Sequence, residues 1–205
     1  MARKIILYIH STLNGVITGD PDGDKMDFVS AWTRNGNILG GSEDLVRLFD
    51  RVDTILLGHA TYDEFARTWP TMQGPAEAVD VVSRLAAKVN GAHKLVVTRD
   101  RQLTDLPWGE FEAAEPLTGD DIVAQIQEFK AGDGGDAVIF GSPTLARSLA
   151  DAGLIDEYHF VWHPVVVEVG ERLFDAIETR TDLQLKNVTT LDEGGVIVAY
   201  ARVDS

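Results

Sequence analysis

Apolar positions along the chain fall into two alternating rhythms. Short, nearly continuous runs rich in branched residues read as buried strands, and stretches with apolar residues three and four apart read as helices. Ile5–Ile9 is the first strand, followed by a Gly/Asp-rich loop from Asn14 to Asp27. Ser42 stands as the cap of a helix carrying Leu45, Leu48, Phe49 and Val52, and Val52–Leu57 is the next strand. Gly58 then leads into a helix through Tyr62, Phe65 and Trp69. Val79–Val89 forms another, with Val82, Leu85 and Val89 on one side and Asn90-Gly91 as its stop. Lys94–Thr98 is a strand, Leu117–Lys130 a helix ended by Gly132, and Ala137–Phe140 a short buried strand. Gly141-Ser142-Pro143 opens a helix with Ser142 as N-cap and Pro143 in its first position, and Gly153 closes it.

From Tyr158 onward the helical rhythm stops. Tyr158–Val167, Leu183–Leu191 and Val196–Val203 read as strands, the last two joined by Asp192-Glu193-Gly194-Gly195. Strand–helix alternation implies a mostly parallel sheet with helices on both faces, whereas so short a turn permits only antiparallel pairing. The expected fold is a three-layer α/β/α sandwich: a mixed, mostly parallel sheet with an antiparallel C-terminal hairpin. No linker, repeat or low-complexity tract interrupts residues 1–205, so one domain is expected.

Composition narrows the chemistry. The 33 acidic against 18 basic residues give a net charge of −15, which repels nucleic acid and anionic membrane surfaces. The absence of cysteine removes disulfides, zinc–thiolate sites and thiol nucleophiles together. No apolar stretch has the length of a membrane span, and the apolar start is too short for a signal peptide, so the cytoplasm is the expected location. Glycine-rich dinucleotide, P-loop and nucleophile-elbow fingerprints are missing. His159 and His163 share one strand face but lie roughly 13 Å apart, too far to bind one ion, so both read as core or edge histidines and no metal is expected.

The positive signal lies where strands end. Gly58-His59-Ala60-Thr61, Thr98-Arg99 and Gly141-Ser142-Pro143-Thr144 each place small or polar residues after an apolar strand, two of them at a helix start. Ligands of open α/β sheets sit outside these carboxyl ends, and a helix N-terminus there offers free N–H groups and partial positive charge to an anion.

In order and spacing, the sequence resembles the dihydrofolate reductase-like superfamily, and within it the reductase domain at the C-terminus of bifunctional riboflavin-biosynthesis proteins. Ser11-Thr12-Leu13-Asn14-Gly15-Val16-Ile17 is similar to that family's S-L-D-G-V-I segment. Leu57-Gly58-His59-Ala60-Thr61-Tyr62 with Trp69-Pro70 is similar to its L-G-R-x-T-Y and W-P elements, and Lys94–Arg99 to its next strand. Ile139-Phe140-Gly141-Ser142, Gly153-Leu154-Ile155-Asp156-Glu157, Pro164-Val165 and Gly170 to Phe174 continue the match.

The resemblance implies NADPH, with NADH as the alternative, bound across the strand ends. Leu13, Asn14 and Gly15 match the loop over the nicotinamide, and Gly58, His59 and Thr61 the phosphate turn. Thr98 and Arg99 match the pair at the adenosine 2′-phosphate. Phe140, Gly141, Ser142, Thr144 and Leu145 match the pyrophosphate turn. The substrate wall would hold His10, Phe65 and Trp162, with Met26, Phe28 and Trp32 from the entrance loop and Asp27 as candidate proton donor.

Three residues depart from the pattern: Asn14 replaces an Asp, His59 an Arg, and Ser142 a second Gly. A histidine is a weaker, pH-dependent phosphate partner than arginine. The resemblance thus implies reduction of a small heterocyclic or carbonyl compound in a homodimer. The alternative is a sequestering module that binds on the same fold without turnover. With so acidic a chain, the cofactor must be held by helix dipoles and a few cations, chiefly Arg99 with His59.

Overall fold

The computed structural model describes residues 2–18, 42–72, 80–175, 177–191 and 194–203. Its strands are β1 (Ile5–Thr12), β2 (Val16–Thr18), β3 (Val52–Gly58), β4 (His93–Val97), β5 (Glu115–Leu117), β6 (Asp136–Phe140), β7 (Glu157–His163), β8 (Glu171–Arg172), β9 (Leu183–Thr190) and β10 (Val196–Arg202). Its α-helices are α1 (Ser42–Leu48), α2 (His59–Thr68), α3 (Val81–Gly91), α4 (Ile122–Ala131) and α5 (Pro143–Asp151).

Eight strands form one sheet in the order β5-β4-β3-β6-β1-β7-β10-β9. Pairing is parallel from β5 across to β7, and β10 runs antiparallel to both β7 and β9. β1 lies at the centre and is buried on both sides, which explains its unbroken apolar run. Its Ile5, Leu7 and Ile9 pack with Ile126 of α4 and Leu145 and Leu149 of α5. Ile6 and Tyr8 point the other way, into a core shared with Leu45 and Leu48 of α1, Tyr62 of α2, and Leu85 and Val89 of α3. The expected α/β/α sandwich with an antiparallel C-terminal hairpin is therefore the observed fold. Among the described residues no helix is long and apolar enough to cross a membrane.

Some boundaries differ from the sequence expectation. The helix expected from Leu117 begins at Ile122, where the Asp121 carboxylate accepts the Ala124 N–H at 2.9 Å. Residues 115–117 instead add β5 as an edge strand, where Pro116 is tolerated. Helix α3 runs through Asn90 and Gly91 before it stops, and Val79, its expected first residue, lies outside the described residues. β7 ends at His163, before Pro164, rather than at Val167. Val16 and Thr18 pair with β8, forming a two-stranded ladder that pins the chain leaving β1.

Charges are collected at the amino ends of the central strands. The Arg51 guanidinium binds both Asp136 at the start of β6 and Glu157 at the start of β7. Lys4 reaches Glu157 at 3.1 Å, and His159 lies 3.4 Å from it. Arg3 binds Asp53 at 2.6 Å, and Asp53 accepts the Gly135 N–H at 2.7 Å. Lys94 is the buried exception: its Nζ donates to the carbonyl of Asn90 at 2.5 Å and lies 4.9 Å from the centre of the Trp108 ring. Burial pulls its pKa down to about 8. Asn90 accepts the Trp108 indole N–H at 2.8 Å and donates to the Trp69 carbonyl at 2.9 Å, anchoring the long connection that leaves β4.

Burial by itself raises the pKa of Glu157, but hydrogen bonds from His159, Arg51 and Lys4 outweigh it and hold the carboxyl well below the usual carboxylate range. Its stabilising effect is present above the ordinary glutamate pKa and is lost as pH falls through the depressed value. Glu157→Gln should lower stability by about 2 kcal/mol at neutral pH and flatten the acid limb of the stability profile. Urea unfolding of both proteins from neutral to acidic pH measures each effect.

Candidate functional site

At the opposite, carboxyl ends of the strands, three turns lie side by side because β4, β3, β6 and β1 are sheet neighbours. Gly58 ends β3 and stands at the N-cap of α2, without a side-chain cap. Gly141 follows β6 with φ +54°, and Ser142 follows it at φ 49°, ψ 63°. Ser142 occupies the N-cap position of α5 but makes no side-chain bond to that helix. Its Oγ instead accepts the Gly58 N–H at 2.7 Å and hydrogen-bonds Thr61 Oγ1 at 2.9 Å. This corrects the expected cap, because in a left-handed conformation the side chain turns away from its own helix. Both helices are left with uncapped N-terminal N–H groups next to one another, an arrangement suited to an anion.

The remaining residues expected around the cofactor divide by environment. Thr98 Oγ1 lies 3.3 Å from His59 Nδ1 and accepts the Asp100 N–H at 3.1 Å, so the β4 turn touches the start of α2. Arg99 and Thr144 are exposed at their turns. The side chains of Phe140 and Leu145 are buried on opposite faces of the sheet, leaving only their backbone to face a ligand. The loop after β1 is fastened by Asn14. Its amide donates to the Val167 carbonyl at 2.8 Å, and its Oδ1 accepts from Thr12 Oγ1 at 2.9 Å. An aspartate has no N–H for Val167, which gives the Asn14 departure a structural reason. Gly15 turns at φ +84°, and Leu13 projects into solvent at 59% exposure.

On the helix α1–α3 side of β1, His10 and His163 form a pair: His10 Nδ1 lies 2.9 Å from His163 Nε2, and the rings stack at 5.1 Å. The parallel register places Thr12 opposite His163 and Ser11 opposite Trp162. Trp162 therefore lies on the other face of the sheet, against Phe160, and is not brought together with His10. Phe65 is on the His10 side, packed on Phe140, which itself meets Tyr8. His163 is the residue that sequence reasoning missed at this wall. Met26, Asp27, Phe28 and Trp32 lie outside the described residues.

A cavity of about 390 Å³ opens beyond His59, between α2 and residues 103–109, with Asp63, Arg67 and Asp105 among its lining. Asp63 lies 3.8 Å from His59. Among the described residues no group of three potential metal ligands gathers.

Burial, reinforced by His163, pushes the His10 pKa down to about 3, and burial pushes His163 down to about 4. Both rings are neutral at physiological pH and can each donate one hydrogen bond and accept another. The unfolded chain takes up these protons near the ordinary histidine value, so the pair subtracts stability as pH falls from there toward the depressed values. NMR titration should show neither ring protonating above pH ~5, and His10→Phe should reduce the stability lost across that acidic range.

Comparisons with known proteins agree with this architecture. The sequence is 26% identical over 198 residues to the uncharacterised protein YyaP of Bacillus subtilis, covering 97% of this chain and 94% of that one. The fold is similar to that of RibD from Acinetobacter baumannii at a TM-score of 0.64 and 15% identity, covering 98% of this chain and 58% of that longer one. It is also similar to dihydrofolate reductase from Enterococcus faecalis, solved as a complex with NADP(H), at a TM-score of 0.55 and 14% identity over 100% of both chains. The family model described as the RibD C-terminal domain matches residues 3–197, and the chain belongs to that family.

Proposed function

We propose that this chain is a reductase that uses a nicotinamide dinucleotide, with NADPH preferred over NADH, to reduce a small heterocyclic or carbonyl compound. The observation that carries the reading is the meeting of two uncapped helix N-termini, α2 and α5, beside Thr98 and His59. The NADP(H) complex of the similar E. faecalis reductase supports the choice of cofactor.

The residues present fit such a group. Gly58 and Gly141 let the backbone come close, and the first turns of α2 and α5 supply N–H donors to the diphosphate. Arg99 and Thr98 serve the adenosine end, with the cationic help a chain of charge −15 must find locally. Leu13 to Gly15 cover the nicotinamide end, and Leu13 excludes water there. The bound cofactor supplies the hydride. The chain's own work is to orient the acceptor against His10, His163 and Phe65, where neutral imidazoles bind a polar heterocycle without placing net charge beside it.

Binding without turnover is the second reading, favoured by His59 standing where arginine is usual and lying near the Asp63 carboxylate. Titration with NADPH and NADH, followed by tryptophan fluorescence, should show saturable binding at sub-millimolar concentration. No binding of either would overturn the reductase reading. Oxidation of the bound nucleotide by a pterin, pyrimidine or quinone selects the reductase. Arg99→Ala should weaken NADPH roughly tenfold or more and NADH less. Equal NADPH affinity in that variant would displace the 2′-phosphate from this turn.

We further propose that a second copy of the chain covers the face of β7, β10 and β9 that the helices leave open. Trp162, Leu185 and Val188 are 39%, 53% and 50% exposed there, beside half-buried Val196, Val198 and Tyr200. Two strongly acidic chains repel one another, so a face this apolar is where they can meet. Light scattering at micromolar concentration should report a dimer, and Leu185→Asp a monomer. A monomeric wild type contradicts the assignment.

A further inference from the structure

Among the described residues, Ser142 is the only non-glycine residue with positive φ. Side chains are disfavoured there because Cβ crowds the following carbonyl, and a glycine would adopt the conformation freely. Strain of this kind persists when the side chain does something that glycine lacks the atoms to do.

Ser142 is only 6% exposed, and its hydroxyl is fully used. It accepts the Gly58 N–H at 2.7 Å. Its single proton goes either to Thr61 Oγ1 at 2.9 Å, or to the Phe140 carbonyl at 3.2 Å, with Thr61 then donating in return. A serine at an N-cap ordinarily folds back onto the N–H groups of its own helix. This one reaches across to the next strand and the next helix.

The consequence is geometric. Helix α2 packs on one face of the sheet and α5 on the other, so no helix–helix packing holds their N-termini together. The Ser142 hydroxyl is the joint between them. A Cβ at Gly58 would stand 3.3 Å from Ser142 Oγ, so a side chain there would press directly on that joint.

We propose that Ser142 is a positioning residue that locks the two helix N-termini into one preformed cradle for a diphosphate ester. It acts through Gly58 and Thr61 rather than by carrying charge. The inference rests on the dinucleotide-binding reading above and deepens it: the affinity of this site for diphosphate-containing nucleotides depends on a hydroxyl at position 142. Preorganisation of this kind raises affinity by removing the cost of ordering the two turns at the moment of binding.

The test compares wild type, Ser142→Ala and Ser142→Gly by calorimetric titration with ADP and with NADPH, alongside thermal melting. Both variants lose the hydroxyl, but only glycine relieves the backbone strain, so the two separate binding from stability. ADP and NADPH affinities should each fall about tenfold in both variants. The melting temperature should fall in Ser142→Ala and stay near wild type in Ser142→Gly. Unchanged affinity in the variants overturns the inference while leaving the dinucleotide reading intact. Affinity that recovers in Ser142→Gly together with the melting temperature also overturns it, because the loss would then follow stability. A wild type that binds neither ADP nor NADPH overturns both.

Discussion

The parallel register of β1 between β6 and β7 is the constraint on which everything else in the molecule depends. Tyr8 stands opposite Phe140 on one side and His159 on the other, and Thr12 stands opposite His163. A slip of one residue would exchange the two apolar faces of the strand, exposing Ile5, Leu7 and Ile9 to the wrong helices. The same register brings His10 beside His163 and carries the chain out of the sheet at Leu13, whose N–H donates to the Val165 carbonyl beyond β7 at 2.9 Å. Core packing and site geometry are thus set by one pairing.

The two ends of the sheet then divide the polar work. At the amino ends, Arg51 joins β3 to β6 and β7 through Asp136 and Glu157, so carboxylates that would repel each other share a cation. At the carboxyl ends the turns of β3 and β6 themselves present backbone N–H groups and hydroxyls, and the β1–β7 side presents the neutral His10–His163 pair. That contrast shows how an acidic chain could accept the proposed anionic cofactor. Asp53, Asp136, Asp156 and Glu157 are held in ion pairs at the amino ends, and the helix N-termini at the carboxyl ends add positive potential without requiring many cations.

Much of this was legible in the sequence. The apolar runs of β1, β3 and the shorter β6, and the change of rhythm after Tyr158, are strong signals and survive in the structure. What escaped was either too short to show a period or settled by pairing. β5 has three residues including Pro116, and β8 has two, so neither can display alternation. The wall of the site depended on which residue of β7 stands beside His10. Sequence spacing relates His163 to His159 within a strand, but only the offset between β1 and β7 reveals that His163 faces His10 while Trp162 does not. Ser142 carried the right residue type for a cap, and the left-handed backbone that redirects its side chain is one serine rarely adopts, so residue type gave no sign of it. The entrance-loop candidates Met26, Asp27, Phe28 and Trp32 lie outside the described residues.

The central claim is that a dinucleotide lies across the carboxyl ends of β4, β3, β6 and β1. Hydrogen exchange followed by mass spectrometry, with and without saturating NADPH, tests it at peptide resolution. The account predicts slowed exchange in the segments containing Leu13 to Gly15, Gly58 to Thr61, Thr98 to Asp100 and Gly141 to Leu145, with the amino-end segments around Arg51 and Glu157 unchanged. Protection confined to residues 103–109 beside the His59 cavity, or protection nowhere, would contradict it.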